Sequence, residues 1–111
     1  MVTATQVPDP VTRVSRVFEP IFDRFLDIQH QYLDQLDNAL SRGDVPCLHR
    51  LGHSIKGGAA TYQLPRAAAL GACLEQAALE RDLEAAAALV LHLRHYYDSL
   101  RVVFVDKDVE P

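Results

Sequence analysis

The stretch LGHSIKGGAA, residues 51–60, combines a histidine, a lysine and two adjacent glycines within about three helical turns. Imidazole is largely uncharged at pH 7, so a histidine such as His53 can act as a nucleophile there. Lys56, three residues later, would sit beside an anion that His53 receives. Gly57 and Gly58 each cost a helix interior about 1 kcal/mol relative to alanine. We therefore infer that packing or access at this site requires them.

A helical projection places His53 about 160° from Leu51 and from Ile55, which lie on the buried stripe. His53 is therefore expected to face water. Gly57 would leave room for a second protein to approach the imidazole, and Gly58 is expected to let the third helix pack close behind. On helix geometry alone, an alternative is that both glycines serve interhelical packing and His53 is an ordinary surface residue. The outer-face neighbours of His53 are His49, Lys56, Gly57 and Ala60.

Helical periodicity covers nearly the whole chain and predicts an all-α protein, an antiparallel up-down four-helix bundle. Helices are expected over about residues 18–42, 44–62, 65–80 and 83–104. Gly43 would end the first, and Asp44, Pro65 and Asp82 would start the other three. Small residues on the third helix predict close approach of a neighbouring helix. A short extra helix could occupy VTRVSRV, and VVFV near the end is the one convincing strand pattern.

The chain has 111 residues, 49% of them hydrophobic, which predicts one soluble domain. No apolar run approaches the roughly 18 residues of a membrane span, so no membrane association is expected. The first ten residues lack the features of a secretory signal. Cys47 and Cys73 form neither a CxxC pair nor a dense cysteine framework. In a reducing compartment, isolated cysteines of this kind usually serve as small apolar side chains. We therefore expect a cytoplasmic protein.

The domain is expected over residues 9–105, between a flexible tail of residues 1–8 and a C-terminal tail of residues 106–111. The initiating Met1 and the charged ending DKDVEP suggest a free-standing module. We expect it to be monomeric.

The formal net charge of −4 argues against nucleic acid as a partner, because phosphate backbones attract basic proteins. Residues 42–66 are nevertheless locally positive, so a small anionic target would be drawn to this part of the chain. The charged residues of this stretch are Arg42, Asp44, Arg50, Lys56 and Arg66.

The motif HSIKGGAA resembles the signature of histidine-containing phosphotransfer (HPt) domains, in which two residues, a lysine, a glycine and small residues follow the histidine. The resemblance covers most of residues 18–104. It implies that His53 is phosphorylated, that Lys56 lies beside the phosphoryl group and that Gly57 keeps the imidazole accessible. Gln63 departs from the family, which usually has glycine there, and this leaves the turn between the second and third helices in question.

The resemblance implies a phosphorelay intermediate whose partners are receiver domains of response regulators or hybrid histidine kinases. His49, Arg50 and Ala60 are the candidate receiver contacts. The outer face of the second helix offers no carboxylate base, and the chain has no nucleotide-binding loop. We therefore expect no autonomous kinase or phosphatase activity, no catalytic residue of that kind and no cofactor, with Mg²⁺ supplied by the partner receiver.

Two alternatives come from other functional classes. His49 and His53, four residues apart, and His92 and His95, three apart, have spacings that could bind a metal on a helix. Third ligands are not apparent, and Lys56 would repel a cation, so no metal site is expected. The other alternative is a helical adaptor that binds partners without being phosphorylated. Zinc titration tests the first alternative, and incubation with a phosphorylated receiver tests the second.

Overall fold

The computed structural model describes residues 11–106. Four helices form the antiparallel bundle that the periodicity predicts: α1 Glu19–Arg42, α2 Val45–Thr61, α3 Pro65–Leu79 and α4 Leu83–Asp98. The predicted tail of residues 1–8 lies outside the described residues, as does all of the C-terminal tail after Asp106. In the described part of the chain, no helix has both the length and the apolar composition that crossing a bilayer requires.

The helix ends follow the predicted signals. Gly43 ends α1 in the left-handed conformation, with φ 63°. The Asp44 carboxylate accepts a hydrogen bond from the Cys47 N–H at 3.2 Å and so caps α2. The Asp82 carboxylate accepts one from the Ala85 N–H at 3.0 Å and caps α4. These caps keep the connections short, so consecutive helices run antiparallel.

Both ends of the described chain depart from the predicted helices. Residues Thr12–Ser15 form a strand, β1, followed by a short 3₁₀ turn at Arg16–Phe18, in the stretch that could have held an extra helix. The fourth helix ends at Asp98, and Val102–Val105 form a second strand, β2. The strands pair in parallel, with Thr12 opposite Val102. Valines favour extended backbone, but each strand needs a partner from the opposite end of the chain, which local periodicity does not reveal.

A buried polar pair lies in the core of the described bundle. The Tyr97 hydroxyl of α4 donates a hydrogen bond to Gln29 Oε1 of α1 at 3.0 Å. Burial raises the pKa of Tyr97, so the hydroxyl keeps its proton and remains a donor. The pair therefore satisfies two buried polar groups while linking α1 to α4. The largest fully buried apolar side chains are Leu33, Leu36, Leu48, Ile55, Leu64, Leu74, Leu93 and Val14.

Two glycines bring the backbones of α2 and α3 into contact. A Cβ added at Gly71 would lie 2.7 Å from the Lys56 backbone nitrogen, and one added at Gly52 would lie 2.9 Å from the Glu75 backbone nitrogen. The close approach predicted from the small residues of α3 is confirmed. The prediction that Gly58 of α2 contacts the third helix was wrong, because a Cβ at Gly58 would meet the Gln29 side chain of α1 at 3.4 Å. Gly58 therefore faces α1.

The turn between α2 and α3 accommodates Gln63 where glycine was expected. Gln63 has a φ of 67°, in the left-handed region that favours glycine after a helix end. Its side-chain Oε1 accepts a hydrogen bond from the Ser15 N–H at 2.6 Å. The glutamine thus adopts the unfavourable backbone conformation and ties the turn to the end of β1.

We expect Gly71→Ala to destabilise the protein by about 1–3 kcal/mol, because the added methyl would collide with backbone atoms of α2 that cannot move aside. Gly57→Ala is the matched control. A Cβ at Gly57 has no neighbour within 4 Å, so this variant should be up to about 1 kcal/mol more stable than the parent. Urea denaturation measures both changes, and equal stability of the two variants would contradict the close contact.

Candidate functional site

His53 lies on the outer face of α2, as the helical projection predicts. Its side chain is 66% exposed. The neighbouring Gly52 and Ile55 are buried, because they belong to the faces of α2 that pack against the rest of the bundle. The helix therefore presents the imidazole to solvent while its opposite side anchors it.

Glu75 of α3 brings a carboxylate to this histidine. His53 Nδ1 lies 3.0 Å from Glu75 Oε2, and Lys56 Nζ lies 2.8 Å from Glu75 Oε1. His49 Nε2 lies 3.6 Å from Oε2. The outer face of α2 itself has no carboxylate, as expected, but sequence reasoning considered only that helix and so missed Glu75 of α3. Glu75 follows Gly71 by one helical turn and so shares its face, a spacing that could have identified it.

Glu75 remains ionised because Lys56 and His53 stabilise its charge. Its side chain is only 17% exposed. The hydrogen bond from Lys56 is the largest effect and lowers the pKa of Glu75, against the opposing effect of desolvation, and the hydrogen bond from His53 lowers the pKa further. One carboxylate thus positions two side chains that the sequence places on the same helix face.

The surface beside His53 is open at Gly57. A Cβ built there would have no neighbour within 4 Å. Arg50 and Ala60, two of the predicted contact residues, are exposed, and His49 is half-buried. The arrangement leaves space for another protein on the C-terminal side of the imidazole.

A groove of about 360 Å³ between α1 and α2 borders the same site. Phe25 and Tyr62 stack within it, with ring centroids 4.1 Å apart and planes at 15°. Ser54 and Gly58, which lie beside His53 and Gly57 in the chain, line its α2 side. The groove gives the surface around His53 an apolar part that α2 alone does not provide.

The second histidine pair that was considered as an alternative metal site lies elsewhere. His92 and His95 line a cleft formed with the start of α3 and do not join His49 or His53. In residues 11–106, no group of three histidine, cysteine or acidic side chains has an arrangement suited to a metal ion. Glu75 approaches both His49 and His53, but its other oxygen is bound by the Lys56 ammonium.

We expect the Glu75 carboxyl to titrate below the ordinary glutamate value of 4.5. Because its pKa is lowered in the folded protein, its stabilising contribution is present above the unfolded pKa and is lost as the pH falls through the folded pKa. Carbon-detected NMR titration measures the midpoint. In Lys56→Gln the midpoint should rise, since Lys56 is the largest cause of the shift. An unchanged midpoint in that variant would contradict the pairing.

Comparison with protein families assigns the chain to a family whose motif contains the exposed histidine. The Hpt domain model matches residues 20–102, which include all four helices except the first residue of α1. Neither the curated proteins nor the solved structures contain a match. The matched region covers most of the chain and contains His53, Lys56 and Glu75. The chain therefore belongs to the Hpt domain family, whose members carry phosphoryl groups on histidine in phosphorelays and interact with receiver domains.

Proposed function

We propose that this protein is a phosphorelay intermediate, in which His53 accepts a phosphoryl group from the aspartyl phosphate of one receiver domain and passes it to another. The observation that carries the proposal is an exposed imidazole whose Nδ1 bonds to Glu75, beside the bare position Gly57. In this arrangement the hydrogen bond to Glu75 orients the imidazole of His53, and the absence of a side chain at Gly57 lets a second protein approach it.

The hydrogen bond to Glu75 selects the reactive nitrogen of His53. An ionised carboxylate only accepts hydrogen bonds, so the imidazole proton belongs on Nδ1. The lone pair is then on Nε2, at the other side of the ring. Within the described part of the chain, Nε2 has no hydrogen-bond partner. We therefore assign Nε2 as the phosphorylated atom.

The transfer step follows from this assignment. The Nε2 lone pair forms a bond to phosphorus while the bond from phosphorus to the aspartyl oxygen breaks, and that oxygen leaves with the electron pair as a carboxylate. The ring becomes positively charged and keeps its proton on Nδ1. Glu75 Oε2 accepts the hydrogen bond from that proton, so the carboxylate stabilises the charge as it develops. Attack by the aspartate of a second receiver reverses the step.

Lys56 can act on the phosphoryl group without leaving Glu75. An ammonium group has three N–H donors, and the bond to Glu75 Oε1 uses one of them. The remaining donors are available to phosphoryl oxygens, where they offset the negative charge that the carboxylate and the phosphoryl group bring together. We propose that Lys56 stabilises phosphohistidine in this way.

The receiver domain supplies the remaining chemistry. The chain has no nucleotide-binding loop, so we propose that in the relay its phosphoryl group comes from a receiver domain rather than from ATP. Mg²⁺ held by the receiver would neutralise charge on the phosphoryl oxygens during transfer. We propose that the receiver contacts His49, Arg50 and Ala60 around His53 and also covers the apolar groove between α1 and α2.

We expect His53→Gln to abolish acceptance of phosphate from a phosphorylated receiver. The melting temperature should change little, because the side chain is 66% exposed and contributes little packing. Phosphotransfer with a radiolabelled receiver, followed by acid treatment, measures the acid-labile label. Labelling retained in the variant would refute the assignment. Stable binding of the receiver by the parent without any transfer would favour the adaptor alternative.

The Gly57→Gln variant should show whether Gly57 serves access of the receiver to His53 or the stability of the fold. The position is open, so the variant should melt no lower than the parent, whereas transfer from a receiver should fall at least about tenfold because the side chain would lie one turn from His53. Phosphoramidate, a small donor, should still label His53. The matched control is Ala88→Gln on the exposed face of α4, which adds the same side chain away from the site and should leave transfer unchanged.

A Gly57→Gln protein that unfolds, or that loses labelling by phosphoramidate as well as by the receiver, would contradict steric clearance. A graded result would support it, with transfer slower in Gly57→Gln than in Gly57→Ala. Quenched-flow or stopped-flow assays would measure the transfer rate at several receiver concentrations. If a high receiver concentration restores the rate of the Gly57→Gln variant, the substitution weakens docking of the receiver.

A further inference from the structure

A second feature of the surface lies away from His53. A cleft of about 230 Å³ opens where the start of α3, the last turns of α4 and β1 meet. Arg66 lies nine residues before Glu75 on α3, which at 100° per residue places the two on opposite sides of that helix. The cleft is therefore separate from the phosphotransfer site.

The described side chains that line this cleft include two arginines and two histidines. They are Arg66 of α3, His92 and His95 of α4, and Arg101 before β2. Among residues 11–106, no aspartate or glutamate lines it, although the chain as a whole carries a net charge of −4. In the described range, no carboxylate lies within 4.0 Å of the side-chain nitrogens of these four residues. Within the described residues, the cleft therefore brings two arginines together without a neighbouring carboxylate, in a protein whose net charge is negative.

The start of α3 adds to this positive potential, whereas the end of α4, which also lies in the wall, opposes it. The first turn of α3 lies in its wall, and Leu64 at the N-cap position provides no side-chain hydrogen bond to the free amide groups of that turn. The positive end of the α3 dipole therefore faces the same region as Arg66. At the end of α4, the carbonyl of His95 accepts hydrogen bonds from both the Ser99 N–H and the Ser99 hydroxyl.

The remaining walls of the cleft are aromatic and apolar. Tyr96, Leu100 and Pro65 line it. The Tyr96 ring is half-buried and packs edge-to-face on Tyr97, with centroids 5.1 Å apart and planes at 80°. A ring held in this way presents a fixed surface on which a planar group can lie.

We propose that this cleft binds a small aromatic oxyanion, with its phosphate or carboxylate group held by Arg66 and Arg101 and its ring against Tyr96 and Leu100. Guanidinium groups bind phosphate and carboxylate through paired N–H donors, which suits both head groups. The cleft is large enough for a one-ring ligand of this kind. Binding there does not depend on phosphorylation of His53.

The test is an amide NMR titration of the full chain with phenyl phosphate and, separately, with benzoate. We expect at least one of the two ligands to shift the amide signals of Arg66, Tyr96 and Ser99, and comparison of the two identifies the preferred head group. Inorganic phosphate, which lacks the ring, and benzyl alcohol, which lacks the charge, should bind at least about tenfold more weakly. The proposal would be overturned if inorganic phosphate or benzyl alcohol bound as tightly as the aromatic anions. It would also be overturned if neither phenyl phosphate nor benzoate shifted these signals.

Variants locate the site. Arg66→Ala and Arg101→Ala should each weaken binding at least about tenfold, since each removes charged hydrogen bonds from exposed positions that contribute little packing. Arg24→Ala, at an exposed arginine of α1 outside the cleft, should bind as the parent does. His53→Gln should also bind as the parent does, which separates this result from the phosphotransfer assay. Undiminished binding by both cleft variants would refute the assignment.

Discussion

The backbones of α2 and α3 touch at Gly52 and Gly71, and the arrangement of the candidate site depends on this contact. A Cβ at either glycine would lie within 3.0 Å of backbone atoms of the other helix. Side chains of ordinary size would hold the two helices farther apart. At the observed separation, Glu75 reaches across to both His53 and Lys56, so a packing constraint in the bundle determines the distances in the site.

The electrostatic balance at the site follows from that geometry. Glu75 is mostly removed from water, yet its charge is stabilised by the Lys56 ammonium and by the hydrogen bond from His53. In the proposed mechanism, a carboxylate in this position directs the imidazole proton to Nδ1 and leaves Nε2 as the reacting atom. The same carboxylate would repel a phosphoryl group if Lys56 did not compensate for it. We therefore regard the three side chains as one unit rather than as a nucleophile with separate helpers.

The small parallel sheet anchors the two ends of the described chain to the bundle. Gln63, in the turn that follows the candidate site helix, accepts a hydrogen bond from Ser15 at the end of β1. β1 pairs with β2, which follows α4. The turn after α2 is thereby connected to both ends of the described chain. The residue that departs most clearly from the family pattern is also the residue that makes this connection.

The sequence by itself determined the number and order of the helices, because the apolar repeat, the caps at Asp44 and Asp82 and the stop at Gly43 are local signals. It also determined that His53 faces outward beside an open Gly57, since helix geometry relates neighbouring positions directly. Tertiary structure alone decided which helix faces Gly52 and Gly58, brought Glu75 to His53 from 22 residues away, and paired β1 with β2. Each of these depends on contacts between distant segments, whose distances are set by packing. The spacing of Glu75 from Gly71 places it on the same face of α3, but it does not give the distance to His53.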